Sequence, residues 1–305
     1  MRSGNESRLS CTNPLPLFSI TKSLVGASAS ILSARGEVEI DGEVGRHFPQ
    51  WEEMLKGVTL RHLLQHSGGI PCYGAVPSYH QDVKRDPAHP WSEEKFLEMT
   101  LPKGLDFLPG KGWNYSNTGY LMVRLILEEI MGCSLQEIFS QLLFVPHSLQ
   151  DTSVLDTQDD LLGVTPGYSR LWTGEKGAWL DARKEYHPGW VGHGLVASPL
   201  SECVRLFRAL FSGGMSSDAF GLWTESVPVG LSHKWFKDPS YALGLISDPQ
   251  SDWGPLYGHG GEGPGWTTLL LHAPEAPEGA TTVAGWMNGP AGDGLERLAQ
   301  KLLKS

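Results

Sequence analysis

The most constraining feature of the chain lies in its last third. Three short β-like runs, Tyr241 to Ser247, Trp266 to His272 and Thr281 to Met287, follow one another across glycine- and proline-bearing turns. Connections this short join neighbouring strands, so they predict an antiparallel meander; a doubly wound parallel sheet would need a long crossover between strands. Upstream the pattern is helical. Helices are predicted over about Ser19 to Ala34, over T-L-R-H-L-L-Q-H from Thr59, over Ser92 to Thr100, over Thr118 to Met131 and over Ser198 to Phe211. Ser92 is placed as an N-cap, and Ser134 with Glu137 as a capping box. Residues 150–195 read as loops, and a last amphipathic helix runs from Leu295 to Leu303. The predicted class is mixed α/β (α+β), an antiparallel sheet flanked by helices plus a mostly helical lobe. Residues 1–36 and 205–305 are assigned to the sheet-containing lobe and 37–204 to the helical one, with the active site between them.

Composition narrows the function classes. Lys plus Arg is 24 against 34 Asp plus Glu, a formal charge of −10. An acidic surface repels phosphate backbones, so no nucleic-acid partner is expected. No run approaches the roughly 18 apolar residues of a membrane span. Met1 to Ser10 lack the apolar core of a signal peptide, so a cytoplasmic location is expected, or a periplasmic or secreted one if a natural leader is missing. Cys11, Cys72, Cys133 and Cys203 are far apart and form no C-x-x-C pair, which favours free, mostly buried thiols. Trp113, Trp172, Trp179, Trp190 and Trp266 are candidates for an aromatic cleft wall.

Three elements carry chemistry. In L-F-S-I-T-K-S-L-V-G, Ser19 and Lys22 stand three apart, on one face of a helix. A partly desolvated lysine has a lowered pKa and can take or relay the serine proton, and a helix N-terminus supplies N–H groups near the developing anion. The spacing alone is not selective: Ser92 and Lys95 repeat it, there as a cap and a solvent-facing lysine. In W-N-Y-S-N-T-G-Y, Tyr115 and Asn117 sit two apart before a helix, a tyrosine suited to base or relay work and an amide suited to orienting substrate or lysine. In Y-G-H-G-G-E-G-P-G-W, His259 stands among glycines that admit a close backbone or substrate. The N–H after Gly261, that of Glu262, can complete an oxyanion site with the N–H of Ser19.

Together, S-I-T-K at 19–22, Y-S-N at 115–117 and H-G-G at 259–261 resemble the serine β-lactamase and penicillin-binding-protein superfamily, in its class C β-lactamase-like branch. V-T-L-R-H-L-L-Q-H-S-G-G-I-P (58–71) and G-L-V-A-S-P-L-S-E-C-V-R-L-F (194–207) are similar to recurring segments of that branch. The resemblance implies Ser19 as acyl-forming nucleophile, Lys22 and Tyr115 sharing the proton work, and Asn117, His259, Gly260, Gly261 and Glu262 on the substrate side. It implies an acyl-enzyme path on an ester or amide, with esterase or D-amino-acid peptidase activity, weak β-lactamase activity, a small-molecule or short-peptide substrate, and no metal or cofactor. His259 stands where many members carry lysine, which disfavours efficient β-lactam hydrolysis. The branch usually has two sheet strands before its nucleophile. Only 18 residues precede Ser19, and Asn13-Pro14-Leu15-Pro16 is a poor strand, so the sheet is expected to be reduced to its three C-terminal strands, with an open edge that lowers stability or pairs with another chain.

Three other readings compete with this one. His62 and His66 have zinc-like spacing, but no glutamate follows His62 as in H-E-x-x-H. An α/β-hydrolase needs G-x-S-x-G, which the chain lacks. A non-catalytic ligand-binding or scaffold protein of the same fold is the remaining alternative.

Overall fold

The computed structural model describes residues 12–290 and 294–303; Cys11 lies outside them. Five two- or three-residue strands come first: β1 (Leu15–Pro16), β2 (Ser153–Val154), β3 (Tyr168–Ser169), β4 (Leu180–Asp181) and β5 (Val196–Ser198). Six more follow: β6 (Val227–Pro228), β7 (Ser240–Tyr241), β8 (Ile246–Asp248), β9 (Leu256–Gly263), β10 (Trp266–Ala273) and β11 (Thr281–Met287). The main sheet is an antiparallel meander in the order β11-β10-β9-β8-β7-β6. A small sheet, β1-β5-β2, and a hairpin, β3-β4, complete the strands described.

The meander is therefore confirmed, and among the described residues the three-strand limit is corrected to six. The run at 241–247 divides into β7 and β8, because Gly244 turns the chain at a φ of +81°. The glycine-rich stretch around His259, which none of the three predicted runs includes, is itself β9, paired on both sides. Leu15 and Pro16 also pair, opposite Ser198 and Ala197 of β5.

Strand alternation places the core on both faces of β10. Trp266 and Leu270 join the large core with Leu17, Ile20 and Leu24. Leu269, Leu271 and Ala273 face the other way, onto Leu295, Ala299 and Leu303 of the Gly294–Leu303 helix. The helix from Thr21 to Ala34 is buried at every position from Thr21 to Leu32. Its small residues make that possible, since they let backbone pack on backbone. A Cβ on Gly26 would lie 1.8 Å from the Leu243 carbonyl oxygen, and one on Gly244 would lie 2.1 Å from the Lys22 carbonyl oxygen. Ser23 Oγ donates to the Gly244 carbonyl at 2.7 Å. The turn between β7 and β8 is thus seated on the first turns of this helix.

Local chemistry sets the helix starts. Ser92 accepts from Lys95 N–H, and Ser134 and Glu137 form the expected reciprocal box. Thr59 and His62 form another, so His62 serves as a cap.

Gly26→Ala should lower stability by about 1–3 kcal/mol, the usual cost of forcing atoms into a packed site. Gly221 lies mid-helix with open space at its Cβ position. Gly221→Ala should therefore gain about 0.5–1 kcal/mol. Thermal or urea melts of the two variants check both signs.

Candidate active site

Ser19 sits in a one-turn 3-10 helix, Phe18–Ile20, that leads into the Thr21–Ala34 helix. Phe18, just before it, has a φ of +47°, a region that side chains other than glycine rarely occupy. Its surroundings hold that conformation. Leu17 N–H donates to Val196 of β5 at 2.8 Å, and Thr268 Oγ1 of β10 donates to the Leu17 carbonyl at 3.2 Å. Val196 N–H donates to Thr21 Oγ1 at 3.1 Å. The turn is tied to both sheets before any substrate arrives.

Lys22 is fully buried on the first helical turn. Its Nζ lies 3.3 Å from Ser19 Oγ and donates to Asn117 Oδ1 at 2.8 Å. The rings of Tyr115 and Tyr120 stand 4.9 and 5.4 Å from it. Among the described residues no carboxylate acts on Lys22. Desolvation is the dominant cause that pushes its pKa well below the ordinary lysine range, opposed by the field of Cys72. Tyr115 donates its hydroxyl to Ser19 Oγ at 2.9 Å. Burial raises the Tyr115 pKa, and its bond to Ser19 only partly opposes that, so the phenol keeps its proton near neutral pH. Asn117 opens the Asn117–Met131 helix behind the Ser116 cap, which accepts from Gly119 N–H at 3.0 Å. Ser19, Lys22, Tyr115 and Asn117 are therefore together, although the sequence separates the first pair from the second by about 95 residues.

An amine held well below its ordinary proton affinity and a phenol that keeps its proton thus stand against one hydroxyl. The first can accept the Ser19 proton and the second can donate to Oγ.

The β9 residues divide. Gly261 lets the strand pass against the serine turn, since a Cβ there would lie 2.1 Å from the Leu17 carbonyl oxygen. Gly260 pairs with Leu269 of β10. Glu262 is exposed and lines the cavity beside Ser19. His259 stands behind Tyr115, buried, its ring 6.2 Å from the tyrosine ring. Its Nε2 is 3.0 Å from the Tyr241 hydroxyl and its Nδ1 2.5 Å from the Gly260 carbonyl oxygen. Burial first, then the field of Lys22, lowers its pKa to about 3, so the imidazole is neutral.

The cavity holds about 260 Å³ and opens over Ser19 and Asn117. Tyr73, Tyr79, Tyr186 and Trp190 form much of its wall. Of the five tryptophans proposed for a cleft, only Trp190 lines it. Trp266 and Trp172 donate their indole N–H to Thr165 and Val83 carbonyls, Trp113 packs on His66, and Trp179 is 48% exposed over Arg170. His66 is buried among Tyr115, Tyr120 and Tyr241.

One residue missed in the sequence is His193. It is buried, lines the cavity, and brings Nε2 to 3.1 Å and Nδ1 to 3.4 Å from Lys22 Nζ. The available signal was its setting, Gly192-His193-Gly194, which repeats the G-H-G of 258–260.

The chain is similar to several known proteins. Penicillin-binding protein 4* of Bacillus subtilis is 27% identical over 277 residues, covering 87% of this chain and 59% of that protein. Esterase EstB of Burkholderia gladioli is 27% identical over 158 residues, covering 48% of this chain and 40% of that protein. The chain thus spans about half the length of these relatives. A D-stereospecific amidohydrolase from Streptomyces has the same fold, with a TM-score of 0.83 at 23% identity over 96% of this chain and 88% of that one. A family model described as Beta-lactamase matches residues 10–304, and the chain belongs to that family.

Proposed function

We propose that the protein is a serine hydrolase that cleaves an ester or amide through an acyl-enzyme on Ser19. The observation that carries this reading is the convergence of Lys22 Nζ and Tyr115 hydroxyl on one Ser19 Oγ at the floor of a cavity. Ser19 Oγ bonds to the substrate carbonyl carbon while its proton passes to the neutral Lys22 amine. The carbonyl oxygen becomes an anion, for which we assign the backbone N–H groups of Ser19 and Glu262. Collapse of the tetrahedral intermediate expels the leaving group, which takes a proton from the Lys22–Tyr115 pair. Water then hydrolyses the acyl-serine by the reverse proton route. Ser19, Lys22 and Glu262 belong to the 1–36 and 205–305 part of the chain, and Tyr115, Asn117 and His193 to 37–204, so we place the reaction at the junction of those two parts. The names of the esterase and the amidohydrolase support the bond class.

The wall chemistry favours substrates without a carboxylate. No lysine or arginine is among the described residues that line the cavity, and Glu262 adds a carboxylate. His259 is neutral and stands behind Tyr115. A carboxylate such as that of a penicillin would enter with no fixed cation to meet it. Aromatic walls suit an apolar acyl or side-chain group.

Ser19→Ala should abolish hydrolysis and labelling by a fluorophosphonate probe; labelling equal to that of the parent protein would overturn the acyl-serine reading. Lys22→Arg should lose about 10²- to 10⁴-fold in kcat, because guanidinium stays charged and cannot accept the proton. In the parent protein, kcat/KM should fall as pH drops through the lowered Lys22 pKa, where the amine gains its proton, and should already be on its plateau below the ordinary lysine range. In side-by-side assays p-nitrophenyl butyrate should turn over faster than nitrocefin; the reverse order would contradict the charge argument.

A further inference from the structure

The Lys22 amine has more neighbours than the proton transfer requires, and they differ in what they can give and take. Asn117 Oδ1, at 2.8 Å, can only accept. Ser19 Oγ, at 3.3 Å, already accepts the Tyr115 hydroxyl and has its own hydrogen to donate. His193 Nε2, at 3.1 Å, is the third neighbour. In the tautomer that carries its hydrogen on Nδ1, Nε2 is free to accept from the lysine. A neutral amine has two N–H bonds and one lone pair. Two acceptors and one hydroxyl donor match that count.

Resting on the serine-hydrolase reading above, we propose that His193 is a positioning residue for the base: with Asn117 it engages both N–H bonds of the uncharged Lys22 amine and leaves the lone pair aimed at the Ser19 hydroxyl. His193 lines the same cavity as Phe18, the residue held at a φ of +47° next to the nucleophile. Its own position is built in. Gly192 N–H donates to the Tyr73 hydroxyl at 3.1 Å, Tyr73 N–H donates to Thr118 Oγ1 at 2.9 Å, and Gly194 takes a φ of +90° so that its N–H reaches the Val191 carbonyl at 2.8 Å. The loop carrying His193 is therefore anchored to the helix that carries Asn117.

The partners act on Lys22 from separate elements, so losing one should let the amine turn without removing it. Misplacement on the scale of 1 Å costs about 10²-fold in such reactions. The test compares the parent protein with Ser19→Ala, His193→Leu, His193→Gln and His193→Asn, by p-nitrophenyl butyrate kinetics and by the rate of fluorophosphonate labelling. His193→Leu should lose about 10²-fold in kcat and in labelling rate, with KM within about threefold. His193→Gln places an amide near the former Nε2 and should recover to within about tenfold of the parent. His193→Asn is the shorter amide; it should stay near the leucine level, and it decides the matter if the leucine variant does not fold. Equal loss in the glutamine and asparagine variants, or no loss in the leucine variant, would overturn the role of His193. If Ser19→Ala retains parental labelling, the failure lies in the serine-hydrolase reading instead.

Discussion

The whole arrangement depends on backbone meeting backbone at the start of one helix. Gly261 of β9 lies against the Leu17 carbonyl, Gly244 lies against the Lys22 carbonyl, and Gly26 lies against the Leu243 carbonyl. At these points the sheet, the turn between β7 and β8, and the serine helix approach more closely than any side chain permits. Beside these crossings Lys22 is fully buried, and Ser19 and Glu262 line one cavity. The electrostatic state of the site follows from the packing. Among the described residues no carboxylate acts on Lys22, so desolvation is the main cause of its lowered proton affinity, and that burial goes with the close backbone packing at these crossings.

Much of this was legible locally. Helix starts at Thr59, Ser92 and Ser134 are written in cap residues that act within three or four positions, so a short window suffices. The sheet class was legible from short connections. Strand β9 was not, because glycine has low strand preference; pairing to β8 and β10 supplies what local preference does not. The serine-lysine spacing was legible but not selective, since Ser92 and Lys95 share it. Geometry separates the two cases: Lys22 is buried against Asn117, whereas Ser92 accepts from the Lys95 N–H as a cap.

The site residues that escaped the sequence are those whose partners are distant along the chain. His193 and Lys22 are 171 residues apart, and nothing near His193 distinguishes it except its two glycines. His259 shows the converse. A motif position identified it, yet its side chain points into a buried cluster with Tyr241 and Tyr115. The tryptophans behave the same way: most complete their indole hydrogen bonds or packing inside the fold, and tyrosines form most of the aromatic wall that tryptophans had been expected to supply.

The buried bases have a thermodynamic consequence for the fold as a whole. Lys22, His66, His193 and His259 are all held below their usual proton affinity, and burial is the first cause for each. The unfolded chain binds protons at all four more readily than the folded one, so protons are ligands of the unfolded state. The lysine makes stability rise with pH from its lowered folded pKa up to the ordinary lysine range. The histidines make it fall as pH drops below about 6.5, the affinity they regain on unfolding. Each group contributes a slope of up to about 1.4 kcal/mol per pH unit within its own window. All four slopes have the same sign, and acid therefore opposes the site twice: it charges the base that must stay neutral, and it draws the polypeptide toward the state in which that charge is solvated.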